Sequence, residues 1–257
     1  MKVVIFAGGK GSRIESEAQL KPKPMIEIGG KPIIWHIMKT YEHYGHNEFI
    51  VCLGYLGGVI KSYFLNYFTN HTAFTVDVLN DTMEVHHPHK DTFKVTLVET
   101  GINTMTAGRL WRVKPYLDKE DFMLTYGDGL IKMDMNEQLA FHKAHGKICT
   151  MTIVEPASRF GMVSLNEEGA VSNFSEKPQS EGAWINGGYF ILKPQVFDYL
   201  NSNSDQVMWE REPLESLSKN GELMAYKHQD FWKCMDTMRD NKELNKMWLE
   251  DPKWKCW

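Results

Sequence analysis

The sequence predicts an α/β fold: a Rossmann-like mixed, mainly parallel sheet flanked by helices, with a smaller antiparallel part and a helical C-terminal tail. Short runs rich in β-branched and aromatic residues alternate with segments whose apolar residues recur at helical spacing, which is typical of a parallel sheet covered by crossover helices. A glycine-rich segment directly follows the first run. After residue 154 the pattern changes to neighbouring strands joined by short turns, which predicts the antiparallel part.

The composition excludes several classes of protein. The 257 residues are 42% apolar and 24% charged, and no run approaches the roughly 20 apolar residues of a membrane span. The net charge of −4 is spread along the chain, so no basic stripe favours nucleic acid or an anionic membrane. The four cysteines are far apart, which predicts reduced thiols, and residues 1–7 are too short an apolar start for a secretory signal, which predicts a cytoplasmic protein.

The first half is predicted to contain five strands and two crossover helices. The strands are residues 3–6, 49–53, 74–78, 95–98 and 122–126. One helix follows Lys31-Pro32, with apolar residues spaced along 34–41, and the other follows Gly57-Gly58, with apolar residues along 60–67.

The second half continues with a helix at residues 135–145 and a strand at 149–154. Residues 163–165 and 171–174, separated by turn residues, predict a β-hairpin. A further strand is expected at 183–192 and a helix at 209–219. Because no repeat or Pro/Ser-rich linker interrupts the chain, one domain spanning residues 1–257 is expected.

The glycine-rich segment is the first candidate binding site. Ala7-Gly8-Gly9-Lys10-Gly11-Ser12-Arg13 follows the first strand, at the sheet edge where open α/β sheets bind ligands. Glycines allow backbone N–H groups to surround phosphate oxygens, and Arg13 adds a charged donor. Ile14 stands where a dinucleotide motif has its third glycine, and the P-loop pattern is also absent. A phosphate site is therefore predicted, with a purely structural glycine turn as the alternative.

Lys23 lies between two prolines in Lys21-Pro22-Lys23-Pro24-Met25. Prolines hold the chain extended, so they present this lysine at a fixed angle. The competing interpretation is a solvated surface lysine.

Asp128 is the candidate metal ligand. Thr125-Tyr126-Gly127-Asp128-Gly129 ends a predicted strand and places a carboxylate at the same sheet edge. A hard cation that bridges phosphates binds oxygen ligands of this kind. An ordinary turn aspartate before glycine is the alternative.

Several segments together resemble the sugar-1-phosphate nucleotidyltransferases. Residues 6–13, Lys23-Pro24-Met25 and Gly30-Lys31-Pro32 carry the family likeness. Residues 21–38 are more similar to the branch that acts on CTP and glucose 1-phosphate, and the likeness to that branch recurs along nearly the whole chain. It is found in residues 83–87, 108–110, 125–129, 141–147, 176–178, 185–188 and 235–237.

The resemblance implies a fold with a nucleotide-binding half up to about residue 130 and a sugar-binding half after it. It implies transfer of a cytidylyl group from CTP to glucose 1-phosphate with Mg²⁺, producing CDP-glucose for deoxysugars of a cell-surface polysaccharide such as O-antigen. The metal ligands implied are Asp128 and Asp236, and the catalytic residues are Arg13 and Lys23. The nucleotide-binding residues implied are Phe6, Ala7, Gly8, Gly9, Lys10, Gly11, Ser12, Arg13, Lys23, Thr104, Arg109 and Gly127. The sugar-binding residues implied are Tyr126, Glu176, Lys177, Asn186 and Gly187.

The resemblance implies that the loop after the fourth strand, residues 104–109, approaches the pyrimidine, with Arg109 and backbone groups near Gly127 as candidate donors. Cytosine differs from uracil by an amino donor, so discrimination requires an acceptor facing that amino group. Several residues could provide it. Uridylyl or thymidylyl transfer is therefore the close rival of cytidylyl transfer.

Other interpretations remain. Ile14 disfavours an NAD-dependent oxidoreductase, and the four residues Arg13, Lys23, Asp128 and Asp236 disfavour a non-catalytic sugar-nucleotide-binding homologue. Pro88 interrupts His86-His87-Pro88-His89, so a zinc site is disfavoured there. The tryptophans at 248, 254 and 257 are expected to cover the core or a neighbouring subunit, which favours a homo-oligomer.

Overall fold

The computed structural model describes residues 1–9, 21–86, 90–156, 162–165, 171–175 and 184–257. In these ranges the strands are β1 Lys2–Phe6, β2 Glu27–Ile28, β3 Lys31–Pro32, β4 Glu48–Leu53, β5 Ala73–Asp77, β6 Thr82–His86, β7 Lys94–Glu99, β8 Phe122–Tyr126, β9 Gly129–Ile131, β10 Cys149–Val154, β11 Met162–Leu165, β12 Val171–Ser175, β13 Ile185–Leu192, β14 Leu223–His228 and β15 Trp232–Cys234. The α-helices are α1 Ile33–His43, α2 Gly57–Leu65, α3 Tyr67–His71, α4 Thr106–Val113, α5 Met135–His145, α6 Glu212–Lys219 and α7 Met238–Glu250.

A seven-stranded sheet in the order β14-β10-β13-β8-β1-β4-β7 forms the centre of the fold. β13 pairs antiparallel with both β8 and β10, whereas the remaining neighbours pair in parallel. The predicted mixed, mainly parallel sheet flanked by helices is confirmed. Small antiparallel pairs and the C-terminal helix α7 complete it, as the sequence predicted.

The central strands consist mainly of buried apolar residues, as expected where helices cover both faces of a sheet. In β1, Val3 and Ile5 belong to one buried cluster and Val4 and Phe6 to the other, as the alternation of side chains along a strand requires. α1 packs in the first cluster, and α4 and α6 pack in the second. Burial on both sides fixes the strands whose ends form the site.

The first half differs from the sequence prediction in two places. The strand predicted at 74–78 is β5, but it pairs with β6 in a hairpin outside the central sheet, where its side chains are exposed. The predicted loop at 104–109 instead contains the first residues of α4, because Ala107, Leu110 and Val113 recur at helical spacing and are buried. Arg109 is therefore held on a helix.

The other predicted elements were close to their observed bounds. β11 and β12 form the antiparallel hairpin expected after residue 160, and α5 has the predicted bounds. The strand predicted at 183–192 begins at Ile185, and the helix predicted at 209–219 begins at Glu212. The turn between β11 and β12 lies outside the described residues.

The C-terminal tryptophans cover the chain's own core. Trp254 is fully buried, stacks on Phe231, and donates its indole N–H to Nδ1 of His36 at 3.3 Å. Trp257 packs edge-on against Trp35. All four cysteines are free thiols, as predicted. Within the ranges given above, no helix has the length and apolar character needed to span a membrane.

Candidate active site

The candidate active site lies where β1 and β8 end side by side. These strands are parallel neighbours, and Phe6 is paired with Tyr126, so the glycine segment and Gly127-Asp128 leave the sheet at the same edge. The N–H of Gly127 donates to the carbonyl of Phe6 at 3.0 Å. A Cβ at Gly127 would lie 2.9 Å from both that carbonyl oxygen and Cγ of Pro24, so only glycine fits without a shift.

A two-stranded ribbon brings Asp236 to this edge. β9, which begins directly after Asp128, pairs antiparallel with β15, with Cys234 opposite Gly129. Asp236 lies two residues after the end of β15 and directly precedes Thr237, the N-cap of α7. The backbone N–H of Asp236 donates to Asp240 Oδ2 at 3.1 Å in the first turn of that helix. Strand pairing and helix capping therefore fix the position of this aspartate.

Lys23 joins the two aspartates. Its Nζ lies 2.6 Å from Asp128 Oδ2 and 2.6 Å from Asp236 Oδ1, and all three side chains are partly buried. The lysine begins a single 3₁₀ turn that follows Pro22, in which the N–H of Ile26 donates back to its carbonyl. Burial acts to lower the pKa of Lys23, but the carboxylates of Asp128 and Asp236 outweigh it and the pKa is raised. The Lys23 side chain is therefore a protonated, positively charged ammonium group.

The same aspartates can hold a metal ion. Asp128, Cys234 and Asp236 each place one potential ligand atom within 4.8 Å of the others. The bound ammonium of Lys23 indicates that the gap between the two carboxylates accommodates a cation. Two carboxylates that leave room for water and phosphate oxygens suit Mg²⁺. Burial, together with the nearby Asp128 charge, raises the pKa of the Cys234 thiol, so this group is a neutral neighbour of the carboxylates.

A cavity of about 750 Å³ opens above these residues. It brings together predicted residues from distant parts of the chain: Phe6, Ala7, Gly8, Gly9, Lys23, Thr104, Arg109, Tyr126, Gly127, Asp128, Asn186 and Asp236. Gly187 lines an adjoining pocket of about 230 Å³ that shares Tyr126 and Asn186 with it. The antiparallel direction of β13 explains the position of Asn186, since the start of that strand lies at the edge where β8 ends. The remaining predicted residues, Lys10, Gly11, Ser12, Arg13, Glu176 and Lys177, lie outside the described residues, as do His87, Pro88 and His89.

Arg109 supports the glycine segment. Its Nη2 donates to the carbonyl of Gly8 at 3.0 Å, and its Nη1 donates to the carbonyl of Leu53 and to Thr100 Oγ1. A Cβ at Gly8 would lie 2.1 Å from Nη1 of this arginine, which explains the need for glycine there. The guanidinium is buried, and burial lowers its pKa. Three of its five N–H groups are committed to the protein, a structural role that the sequence did not reveal.

Glu210 is a cavity residue that the sequence prediction missed. Its Oε1 accepts a hydrogen bond from the Tyr126 hydroxyl, and its Oε2 accepts one from Thr106 Oγ1 at 2.8 Å. Burial raises the pKa of Tyr126, and the neighbouring Glu210 charge raises it further, so the phenol stays protonated and donates. In the sequence Glu210 stands beside Arg211 and Glu212 and resembles a solvated charged run, which explains why it was not selected.

Comparisons with known proteins agree with this arrangement. A family model for nucleotidyl transferases matches residues 2–248. The chain is 49% identical over 259 residues to a glucose-1-phosphate cytidylyltransferase of Salmonella typhi, with all of both chains covered. It is 46% identical to a probable glucose-1-phosphate cytidylyltransferase of Bacillus subtilis, again over the full length of both.

Solved structures share the fold at lower identity. A putative glucose-1-phosphate thymidylyltransferase from Bacillus anthracis matches with a TM-score of 0.70 at 16% identity, covering 96% of this chain and 94% of that one. A UDP-glucose pyrophosphorylase complexed with UDP-glucose matches with a TM-score of 0.67 at 18% identity, covering 97% and 98%. At such identities the likeness concerns the fold alone.

Proposed function

Because the chain belongs to the nucleotidyl transferase family, we propose that it transfers a cytidylyl group from CTP to α-D-glucose 1-phosphate, giving CDP-glucose and pyrophosphate. The full-length identity of 49% to a protein of that activity carries this conclusion. The geometry provides the chemistry, because one lysine and two aspartates from distant parts of the chain meet beside a cavity of sufficient size.

The reaction joins two anions, and their repulsion is the main obstacle. A phosphate oxygen of glucose 1-phosphate attacks the α-phosphorus of CTP, a new P–O bond forms, and the bond from that phosphorus to the β-phosphate oxygen breaks. The electron pair leaves with pyrophosphate. Since this displacement is direct, no covalent enzyme intermediate is required. The protein must hold the two phosphates in line and neutralise their charge.

Asp128 and Asp236 are the proposed ligands of Mg²⁺, which supplies positive charge to the reacting phosphates when bound. Lys23 is proposed to move its ammonium from the two carboxylates to the phosphates when the substrates and metal enter. Its Nζ already lies at the junction of the carboxylates and the cavity. A positive charge beside the phosphates stabilises the charge that develops on the leaving group.

The nucleotide phosphates are proposed to lie along the glycine segment. The backbone of Gly8 and Gly9 lines the cavity, and Lys10, Gly11, Ser12 and Arg13 continue the segment in the sequence. Thr104 and Arg109 form the wall proposed for the pyrimidine. Loss of Arg13 is expected to cost about 1.5 to 3 kcal/mol of transition-state binding, which corresponds to roughly ten- to more than a hundredfold in rate.

The sugar is proposed to bind at the opposite side of the cavity, by Tyr126 and Asn186 and beside Gly187. The Asn186 side chain accepts the N–H of Gly188 at 2.8 Å, which fixes its orientation at this wall. Glu176 and Lys177 are proposed to contact the sugar hydroxyls and the 1-phosphate, respectively. As the family model covers residues 2–248, we also treat the chain as a single domain with these two substrate-binding halves.

A substrate matrix tests the proposed function. CTP, UTP, dTTP, ATP and GTP are each combined with several sugar 1-phosphates and Mg²⁺, and pyrophosphate release is measured. We expect the highest rate with CTP and glucose 1-phosphate. A higher rate with UTP or dTTP would instead establish the uridylyl or thymidylyl alternative. Binding of these ligands without pyrophosphate release from any pair would identify a non-catalytic homologue.

We also propose that the protein is a homo-oligomer. The C-terminal tryptophans do not support this proposal, because they cover the chain's own core. The support is the hairpin of β5 and β6, on which Phe74, Val76, Met83 and Val85 are exposed. Exposed apolar surface of this kind commonly marks a protein contact. Light scattering on the purified protein should give a mass above that of the 29.8 kDa chain.

A further inference from the structure

We propose that Glu210 accepts a hydrogen bond from a hydroxyl group of the sugar 1-phosphate and is a specificity-determining residue for the sugar. This inference rests on the proposed function and adds a residue to its sugar site. Glu210 lines the cavity between Tyr126 and Thr106, both of which donate hydrogen bonds to it. Among the residues that the structure describes, no lysine, arginine or histidine forms an ion pair with its carboxylate.

The carboxylate is held at both oxygens. Tyr126 donates to Oε1 and Thr106 donates to Oε2, so its plane is fixed relative to the cavity. The Thr106 oxygen accepts the backbone N–H of Trp209 at 2.7 Å, which leaves its proton to point at Glu210. Each carboxylate oxygen can accept two hydrogen bonds and only one is used by the described protein groups. The remaining lone pairs on this cavity wall are available to a substrate donor.

The charge of Glu210 decides which part of the substrates it can face. An ionised carboxylate repels phosphate, so a productive arrangement keeps it away from the phosphates beside Lys23 and the glycine segment. Sugar hydroxyl groups are neutral donors, and a hydrogen bond to an ionised acceptor is about twice as strong as a neutral one. The Tyr126 hydroxyl contacts both Glu210 and the side chain of Asn186, which places Glu210 next to the two residues proposed to bind the sugar.

This arrangement predicts recognition of one particular hydroxyl group. A site built to bond a hydroxyl discriminates strongly against the analogue that lacks it, because the polar acceptor is then buried without a partner. We expect deletion of the contacted hydroxyl to lower kcat/KM by roughly ten- to a hundredfold in the wild-type enzyme. For each of the other hydroxyl groups, the effect of deleting the hydroxyl on kcat/KM should be independent of the substitution of Glu210.

The test is a cycle between protein and substrate changes. kcat and the KM for the sugar phosphate are measured for wild type and Glu210→Gln with glucose 1-phosphate and its 2-, 3-, 4- and 6-deoxy analogues at saturating CTP. The KM for CTP is measured separately, by varying CTP at saturating glucose 1-phosphate. Glu212→Gln, an exposed change two residues away at the start of α6, is the matched control. We expect Glu210→Gln to lower kcat/KM for glucose 1-phosphate without changing the KM for CTP. For one deoxy analogue, the substitution should cause no further loss, because the hydrogen bond is already absent.

The results of these experiments distinguish failure of the proposed role of Glu210 from failure of the proposed cytidylyl transfer. Additive losses with every deoxy analogue, or a loss that appears in the KM for CTP, would overturn the role of Glu210 while cytidylyl transfer by the wild type stands. If the substrate matrix identifies another nucleotide, the same cycle is run with that nucleotide. Should Glu210→Gln fold poorly, Thr106→Val keeps the carboxylate but removes one of its anchors. It should weaken discrimination at the same single hydroxyl, and equal loss at all positions would contradict the proposal.

Discussion

The backbone N–H of Met235 donates to the carbonyl oxygen of Asp128 at 2.9 Å. This hydrogen bond extends the pairing of β9 with β15 beyond Cys234, and it sets the next residue, Asp236, beside the first aspartate. The two carboxylates are therefore held together by backbone structure, although they are far apart in the sequence. A site of this construction keeps its geometry when a side chain in it is replaced, which makes the following substitutions informative.

Replacing Lys23 with methionine should abolish turnover but raise the affinity for metal. The Lys23 ammonium and a metal ion compete for Asp128 and Asp236, and without the lysine the two carboxylates repel each other. We expect at least a hundredfold loss of kcat, as is typical when a transition-state charge partner is removed. Calorimetric titration with Mg²⁺ and Mn²⁺ in the absence of substrate should show tighter binding, and Mg²⁺ should raise the melting temperature more than in wild type.

Lys21→Met provides the control for the Lys23 substitution. Lys21 forms an exposed ion pair with Glu27 on the same segment, away from the aspartates. Its replacement should leave both turnover and metal affinity near the wild-type values, because exposed ion pairs contribute little. Weaker metal binding in Lys23→Met, or full turnover, would refute the role assigned to the lysine.

Replacing Arg109 with lysine distinguishes two roles for this residue. The bonds to Leu53 and Thr100 come from one guanidinium nitrogen and the bond to Gly8 from the other, whereas a lysine has a single donor nitrogen, so the glycine segment should lose support. If Arg109 acts only through that segment, the KM values for CTP and UTP should rise by similar factors. If its remaining N–H groups also bind cytosine, the ratio of kcat/KM for CTP over UTP should fall. Steady-state kinetics with both nucleotides gives the answer.

The strand ends that form the site were predictable from sequence, because short local patterns show where each strand ends. Apolar runs before Gly8 and Gly127 identify buried parallel strands, and the ends of such strands meet at one edge. No local sequence pattern predicts the pairing of β9 with β15 that positions Asp236. The same is true of the hydrogen bonds from Tyr126 and Thr106 that hold Glu210. Both depend on contacts between distant segments, and the sequence around Glu210 has the composition of an exposed surface.

Arg109 shows a different limit of sequence reasoning. The family resemblance implied that Arg109 binds the nucleotide, but an arginine can also be buried when backbone carbonyls accept its N–H groups. That arrangement requires α4 to point the side chain at the ends of β1 and β4, and helix orientation is a tertiary property. The strand at 74–78 was predicted for a related reason without its partner, since its alternating residues fit a sheet strand and only the tertiary structure shows that it pairs with β6 outside the central sheet.

Replacing Gly127 with alanine should damage both stability and activity. The added Cβ would lie 2.9 Å from the Phe6 carbonyl oxygen and from Pro24 Cγ, which adjoins Lys23 in the chain. Forcing an extra methyl group into such a site costs about 1 to 3 kcal/mol. Urea unfolding should show this loss, together with a fall in kcat. Gly58→Ala is the control, because its Cβ would meet no atom within 4 Å and alanine favours the α2 helix, so its stability should be unchanged or slightly higher.

Acid should destabilise the protein partly through His36. Burial is the main cause that lowers the pKa of His36 from 6.5 to about 4, and the nearby Lys31 charge adds to it. Its Nε2 lies 2.8 Å from the Ile28 carbonyl and its Nδ1 accepts the Trp254 N–H, so the neutral ring satisfies both contacts. A second proton on Nδ1 would face that N–H. The folded state thus resists protonation.

The direction of the pH effect on stability follows from the pKa of His36, which is 6.5 in the unfolded state and about 4 in the folded state. Above pH 6.5 both states carry neutral His36 and its contribution is complete, whereas between pH 6.5 and 4 only the unfolded state binds the proton. Stability should therefore fall with pH in this window, by about 2 kcal/mol between pH 7 and pH 5 from this residue. His36→Gln, which can donate to Ile28 and accept from Trp254 without titrating, should reduce the loss measured by urea unfolding at these two pH values. His43→Gln, on the exposed side of the same helix, controls for the removal of a histidine. An unchanged pH dependence of stability in His36→Gln would show that protonation of another group, such as His142, is the main cause of the loss.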